Sequence, residues 1–423
     1  MKLPRFGGLI QNAAALVASG GVSAIVGVVF WVEATHLVPA KVVGEASAQI
    51  AAMAILGLLS QLSFGATFER FLPVAGEQSA RFVVRAYVTS ATAGVILSTA
   101  YIASGFGHAF IPSALGWRVL FVLSVTLWTI FALQDSVLVG LRSTRWVPVE
   151  NITYSLAKLA LLPLFITWSS RQGIFIAWNF PVIWLIVAVN WYLFKKRLPR
   201  HQRQSTSSEA LPSTRQLLAL SGAQYASLLV GVMSTSITTL IVIDRLGAVA
   251  NAHYYIPAQI AAGVTLLIGG IMRSFYVEAA SEPARVAEFA RITLKTTVFL
   301  LLPILVVGVV FAPQILGVFG RGYSHDGATL LRMMLLSRPA LAVTAFYSAF
   351  AWLDRRVWWF AIRELLGALI FFTVALTLLS RLGVIAIGIA SLIESGVQGF
   401  FFLPILIRRY RLASAIIAEP ANE

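Results

Sequence analysis

Apolar stretches of about twenty residues recur along this chain, the length a helix needs to cross the roughly 30 Å hydrocarbon layer of a bilayer. About twelve windows qualify, at roughly 10–35, 44–66, 82–104, 116–140, 149–168, 173–194, 217–243, 252–276, 292–312, 327–352, 357–379 and 384–407. The expected fold class is an all-α polytopic membrane protein of about twelve transmembrane helices. Composition agrees, since 58% of the 423 residues are hydrophobic and only 12% charged, against about 45–50% and about 25% in soluble domains.

A basic strip, Lys195-Lys196-Arg197-Leu198-Pro199-Arg200-His201-Gln202-Arg203, interrupts the windows at mid-chain and runs into a polar stretch ending near Arg215. The expected organisation is an N-terminal six-helix bundle (1–194), a wet cytoplasmic linker (195–216), a C-terminal six-helix bundle (217–407) and a cytoplasmic tail (408–423). With the amino terminus inside, 22 of the 32 Lys and Arg fall in inner loops and flanks and 6 in outer ones. Short loops retain Lys and Arg on the cytoplasmic side, so both termini are expected there. The first apolar run is span-length and lacks a small-residue cleavage site, so the first helix itself is expected to direct insertion. The excess of 32 basic over 17 acidic residues is topological. A soluble basic face with interleaved aromatics is missing, so no nucleic-acid partner is expected.

The second window contains Ala48-Gln49-Ile50-Ala51-Ala52 and the eighth contains Ala258-Gln259-Ile260-Ala261-Ala262, an identical pentapeptide half a chain apart. The same offset carries the first window onto the seventh and the fourth onto the tenth. An even number of spans per half makes the repeat parallel. Such repeats place a substrate site between halves near the midplane, with access alternating by rocking, so the architecture favours transport over catalysis.

Several chemistries are excluded. Cysteine is absent, which removes disulfides and thiolate metal sites. Neither G-x-x-x-x-G-K-[ST] nor H-E-x-x-H occurs, so neither a phosphate loop for ATP nor that zinc site is present. His36, His108, His201, His253 and His325 all fall in loops or at span ends. No metal or organic cofactor is expected. A membrane glycosyltransferase is the enzymatic rival, but the first outer loop, Leu37 to Val43, carries no acid and the largest holds Asp326 alone.

Candidate site residues are therefore the charges inside spans, each of which costs roughly 2.5–3.5 kcal/mol at a helix centre and needs a partner, a wet cavity or a function. Arg338 lies mid-span beside Pro339, where a missing backbone donor breaks the helix. It either receives an anion in a water-filled cavity or pairs with Glu394 of the last span. Arg332, about 9 Å further out, either extends a cationic path or snorkels. Asn151, Tyr154, Ser155 and Lys158 share one helical face, which either lines a cavity or bonds to neighbouring helices. Arg363 and Glu364 lie close enough to the inner surface to snorkel. Glu33, Asp135 and Glu394 are the acidic candidates for proton or sodium coupling. Ser391, Ser395 and Gly399 form a small-residue packing face, and Trp31, Trp117, Trp168, Trp191, Trp352, Trp358 and Trp359 read as interfacial anchors.

With these residues in view, the chain resembles the polysaccharide and lipid-linked oligosaccharide flippases of the MOP exporter superfamily, in particular its O-antigen transporter-like branch. The likeness is carried by Phe30-Trp31, Leu37-Val38-Pro39, Val43-Gly44 with Ala46, Leu58-Leu59-Ser60, Gly65 and Arg70-Phe71-Leu72-Pro73. It continues through Leu141-Arg142, Arg145-Trp146-Val147-Pro148-Val149-Glu150-Asn151 and Leu156-Ala157-Lys158-Leu159-Ala160. The resemblance implies a MATE-like pair of six-helix bundles around a V-shaped cavity in a bacterial plasma membrane. It implies movement of a polyprenyl-diphosphate-linked glycan from the inner to the outer leaflet, with membrane lipids, a polysaccharide polymerase and glycosyltransferases as partners. Lys158, Arg332, Arg338 and Arg363 would then meet the diphosphate.

The same fold also implies an alternative, export of cationic drugs coupled to proton or sodium entry. Cavity sign separates the two. Organic cations call for acids at the midplane, whereas Lys158 and Arg338 outnumber Glu394 there.

Overall fold

The computed structural model describes residues 6–204, 236–353 and 357–418, with side chains over 21–203, 236–353 except 326, and 362–408. Every regular element among these residues is helical. Ten described helices are long and apolar enough to cross a membrane, and Gly21–Leu37 is a shorter apolar one. The protein is thus an all-helical, multi-pass membrane protein. The expected window 217–243 lies largely outside the described residues. Two compact units are formed, Met1–Ala252 and His253–Glu423.

The first unit contains α1 (Phe6–Leu37), α2 (Ala40–Ser60), a short α3 (Phe64–Phe71), α4 (Ser79–Ala103), α5 (Leu115–Gly140), α6 (Trp146–Trp168), α7 (Gly173–Tyr192) and α8 (Leu198–Gln204). Beyond these come α9 (236–246) and the start of α10 (Ala248–Ser281). Helix α2 is its axis, packed against α4, α5 and α7, and most of its span is buried. Its composition explains this position. Ala46, Ser47, Ala48, Ala51 and Ala52 are all buried, and small side chains let helix backbones approach closely where lipid supplies no hydrophobic drive.

Gly44 marks the tightest approach, because a Cβ there would lie 1.8 Å from the carbonyl oxygen of Ala248. Asn251 fastens the same place, donating to the Gly44 carbonyl at 2.9 Å and to Ser47 Oγ at 3.1 Å. Gly247, with φ +86 between α9 and α10, occupies the left-handed region that glycine adopts at no steric cost.

The basic strip departs from the wet linker expected of it. Leu193–Arg197 forms a π-helical turn and α8 continues helically to Gln204. Leu193 and Leu198 are buried in one apolar cluster with Phe68, Leu72, Val83 and Val137. Arg197 bonds Ser143, His201 meets the Leu72 carbonyl at 3.1 Å, and Gln202 donates to the Glu77 carbonyl at 2.6 Å. The physical reason is amphipathicity, since Leu193 and Leu198 anchor one side while the cations take the other. Residues 205–235, the remainder of the strip included, lie outside the description.

In the second unit, α11 (Val286–Val310), α13 (Arg321–Leu336), α14 (Arg338–Leu353) and α15 (Val357–Leu382) gather around α16 (Ile385–Ala418), and the short α12 (Ala312–Gly317) packs on α13. The small-residue face of α16 makes close contacts as expected. Ser395 is buried, and a Cβ on Gly399 would come within 3.0 Å of Ala340 Cβ. The tenth window is not one helix. It divides into α13 and α14 at Ser337, because Pro339 has no N–H to donate to the carbonyl of Leu335.

The two copies of the pentapeptide sit in the middle of α2 and in the first half of α10. Their surroundings differ. All five residues are buried in α2, whereas Gln259 in α10 is exposed. Gln49 donates to the Phe110 carbonyl at 2.6 Å and to Gln172 Oε1 at 3.1 Å.

Candidate functional site

In the first unit, the polar face of α6 meets three different neighbours. Asn151 donates to Asp135 Oδ2 on α5 at 3.2 Å. The Tyr154 hydroxyl donates to the Trp178 carbonyl on α7 at 3.1 Å. Lys158, 5% exposed, enters an aromatic cage, its Nζ 3.6 Å from the ring centre of Trp178, 4.8 Å from Tyr154 and 5.4 Å from Phe30. Phe30, Trp31, Tyr154 and Trp178 also pack ring against ring. Trp31 is therefore a buried member of this cluster, not the interfacial anchor expected of it, because α6 and α7 enclose the outer part of α1.

No ion pair among the described residues involves Lys158. Each desolvated cation–π contact contributes up to about 2 kcal/mol, against several kcal/mol for withdrawing an ammonium from water. The site is thus a buried cation held by π faces and short of a full counter-charge.

A second polar group lies nearer the α5–α6 turn. Gln134 donates to Glu150 Oε1 at 2.8 Å and accepts from Asn190 Nδ2 at 3.0 Å. Glu150 is 3% exposed. Glu150 Oε2, Asp135 Oδ1, Asn190 Oδ1 and the Tyr87 hydroxyl are buried without a hydrogen-bond partner among the described residues. Sequence reasoning picked out Asp135 but passed over Glu150, Gln134 and Asn190. A signal was available. Gln134-Asp135 and Glu150-Asn151 are adjacent polar pairs placed symmetrically about the turn, so two antiparallel helices bring each onto its counterpart.

Glu33 on α1 is half-buried. Glu45, by contrast, is 3% exposed and neutralised by Arg171 at 2.8 Å.

In the second unit, Arg338 opens α14 at the helix break. Its Nη1 donates to Thr265 Oγ1 on α10 at 2.9 Å, and its buried Nε has no partner among the described residues. Glu394 is close enough to interact electrostatically with Arg338, but its direct partners are Ser395 at 2.9 Å and Gln398 at 2.7 Å. The pairing with Glu394 that was one of the two alternatives for Arg338 is a through-space attraction, and the guanidinium bonds Thr265. Gln398 connects onward to Arg363 at 3.3 Å, and Arg363 pairs with Glu364. Arg363, expected to snorkel, has a side chain only 10% exposed, because Gln398 and Glu364 supply the polar partners that the interface would otherwise provide. Gly367 makes room for this network, since a Cβ there would fall 2.0 Å from Gln398 Nε2.

Arg332 has a different task. Its Nε donates to the Val309 carbonyl at 3.0 Å, the acceptor left open because Pro313, four residues on, has no N–H. It also borders a cavity of about 470 Å³ between α12 and α13. No group of three or more His, Cys, Asp and Glu arranged to hold a metal ion occurs among the described residues.

A polytopic helical membrane protein with isolated buried cations in each unit is the class these observations define. The particular fold is that of the MOP exporters. The structure is similar to an inward-facing multidrug resistance MATE family transporter of the MOP superfamily, at 14% identity and a TM-score of 0.70, over 93% of this chain and 96% of that one. It is similar to the lipid II flippase MurJ in an inward closed conformation, at 14% identity and a TM-score of 0.69, over 95% and 90%. A third similar structure is a MOP superfamily transporter from Pyrococcus furiosus described by the reverse polarity of its binding pocket, at 15% identity and a TM-score of 0.59, over 96% of both chains. No protein-family model matches the sequence, and no curated protein does.

Proposed function

We propose that this protein is a transporter, not an enzyme, which moves a polyprenyl-diphosphate-linked oligosaccharide from the inner to the outer leaflet of a bacterial plasma membrane for polysaccharide assembly. The observation that carries the reading is Lys158, a buried ammonium surrounded by Trp178, Tyr154 and Phe30 with no carboxylate paired to it among the described residues. An anionic cargo supplies the counter-charge this position lacks, while the aromatic faces hold the ammonium between cargo molecules. Arg338 offers the equivalent group in the second unit, with a buried donor still to be satisfied. Arg's planar fork suits a diphosphate better than a point charge would. Arg363 is already committed to Gln398 and Glu364, and Arg332 holds the Val309 carbonyl through Nε, so both act as supports and not as cargo ligands. Asn151 and Tyr154 position the face from which Lys158 projects.

The fold is shared with a lipid II flippase and with multidrug transporters, so the cargo is decided by charge. For one neighbour of this fold, a reverse polarity of the binding pocket suggests a different function. Asp135 with Glu150, and Glu394 in the second unit, are the places for proton or sodium coupling. Both termini are cytoplasmic in this reading, and polymerase and glycosyltransferases act before and after the flip.

The test is binding by the purified protein. A polyprenyl-diphosphate-linked oligosaccharide should bind with an affinity that Lys158→Ala lowers about tenfold, and a cationic dye should neither bind nor compete. Tight dye binding that Lys158→Ala improves would establish the drug-exporter alternative.

A further inference from the structure

The geometry points to a binding site for the phosphate headgroup of an anionic membrane lipid in the cavity between α12 and α13. The cavity of about 470 Å³ is bordered by Arg321, Ser324, His325, Thr329 and Arg332. This volume falls within the range of roughly 300–1,000 Å³ typical of small-molecule sites. Arg321, His325, Thr329 and Arg332 recur every three or four residues and so share one face of α13. Arg321 and Arg332 border the space with His325 beside them, and among the described lining residues none is a carboxylate.

Three features equip the place for an anion. Arg332 uses only Nε on the Val309 carbonyl, so its terminal nitrogens remain for a phosphate oxygen. The cavity runs along α13 from its first residue, Arg321, where the helix dipole favours negative charge. Ser324 Oγ donates to the Pro313 carbonyl at 2.8 Å, which ties α12 to α13 and holds the walls in place.

The surroundings select a lipid over a free ion. Val307, Val310, Phe311 and Val318, on α11 and around α12, are about half exposed, and side chains of this kind on a membrane protein face acyl chains. Cation-lined space begins where this apolar surface ends. An amphiphile lies naturally across such a border, its tail along α11 and its phosphate against Arg321 and Arg332, as basic pockets between transmembrane helices hold acidic headgroups. The site stands apart from Lys158 and Arg338, and nothing in it requires the cargo to be a glycan.

The experiment is native mass spectrometry of the full chain released from detergent, titrated with phosphatidylglycerol or phosphatidylcholine, with and without inorganic phosphate. The variant is Arg321→Gln combined with His325→Gln. Both side chains are exposed, and Arg332 is spared because it caps α11. Phosphatidylglycerol should bind about tenfold more tightly than phosphatidylcholine, inorganic phosphate should not displace it, and the double variant should erase the preference. Equal binding of the two lipids overturns the proposal whatever the variant does. So does an undiminished preference in the folded variant. Complete displacement by inorganic phosphate would assign the cavity to a free anion and overturn the lipid assignment.

Discussion

A lysine buried among aromatic rings differs from one buried beside a carboxylate, because removing it leaves no orphaned counter-charge. Lys158 is of the first kind. Withdrawing an ammonium from water costs several kcal/mol, a penalty that an apolar side chain of similar volume does not carry, and the cation–π contacts, about 2 kcal/mol or less each, offset it only in part. Lys158→Met is therefore expected to melt at or above the wild-type temperature while losing transport. A melting temperature far below wild type would make Lys158 a structural residue. Glu150 behaves in the opposite way. Glu150→Gln keeps an oxygen for Gln134, so its melting should match wild type, whereas Glu150→Ala strands a buried amide and should cost about 1–3 kcal/mol. Thermal denaturation of the purified variants reads both outcomes.

At the scale of the element, proline decides where the interior cations lie. Pro339 divides the tenth span and leaves Arg338 at the start of α14, and Pro313 opens the carbonyl that Arg332 closes. The second relation makes a double-mutant cycle. Arg332→Ala should cost about 1–3 kcal/mol by uncapping Val309. In a Pro313→Ala background the restored N–H can serve that carbonyl, so most of the cost should vanish. Equal costs in both backgrounds would show that Arg332 acts elsewhere.

The break at Arg338 was legible in the sequence because proline acts locally. What replaced the expected Glu394 pair was not, since Thr265 lies far along the chain and one hydroxyl among many carries no mark of its partner. The docking of the basic strip was hidden for a similar reason. Its leucines gain meaning only once α4 and α5 present an apolar surface to receive them.

For the whole molecule, apolar window length and the distribution of Lys and Arg anticipated an all-helical membrane protein, because a bilayer leaves the backbone few alternatives. The candidate site was legible in its cations and obscure in its surroundings. Lys158 stood out as a charge within a span, but Phe30, Trp31 and Trp178 looked like ordinary apolar residues until α1, α6 and α7 closed on one another. In the proposed function the two buried cations, Lys158 in one unit and Arg338 in the other, receive the anionic end of a lipid-linked glycan. The direct measurement is surface glycan in a strain whose own flippase is deleted and which carries the matching glycan pathway, complemented with Lys158→Ala, Arg338→Ala or Arg338→Lys proteins that insert normally. The account predicts that both alanine variants lose export and that Arg338→Lys retains part of it. Full glycan export in both alanine variants would contradict it.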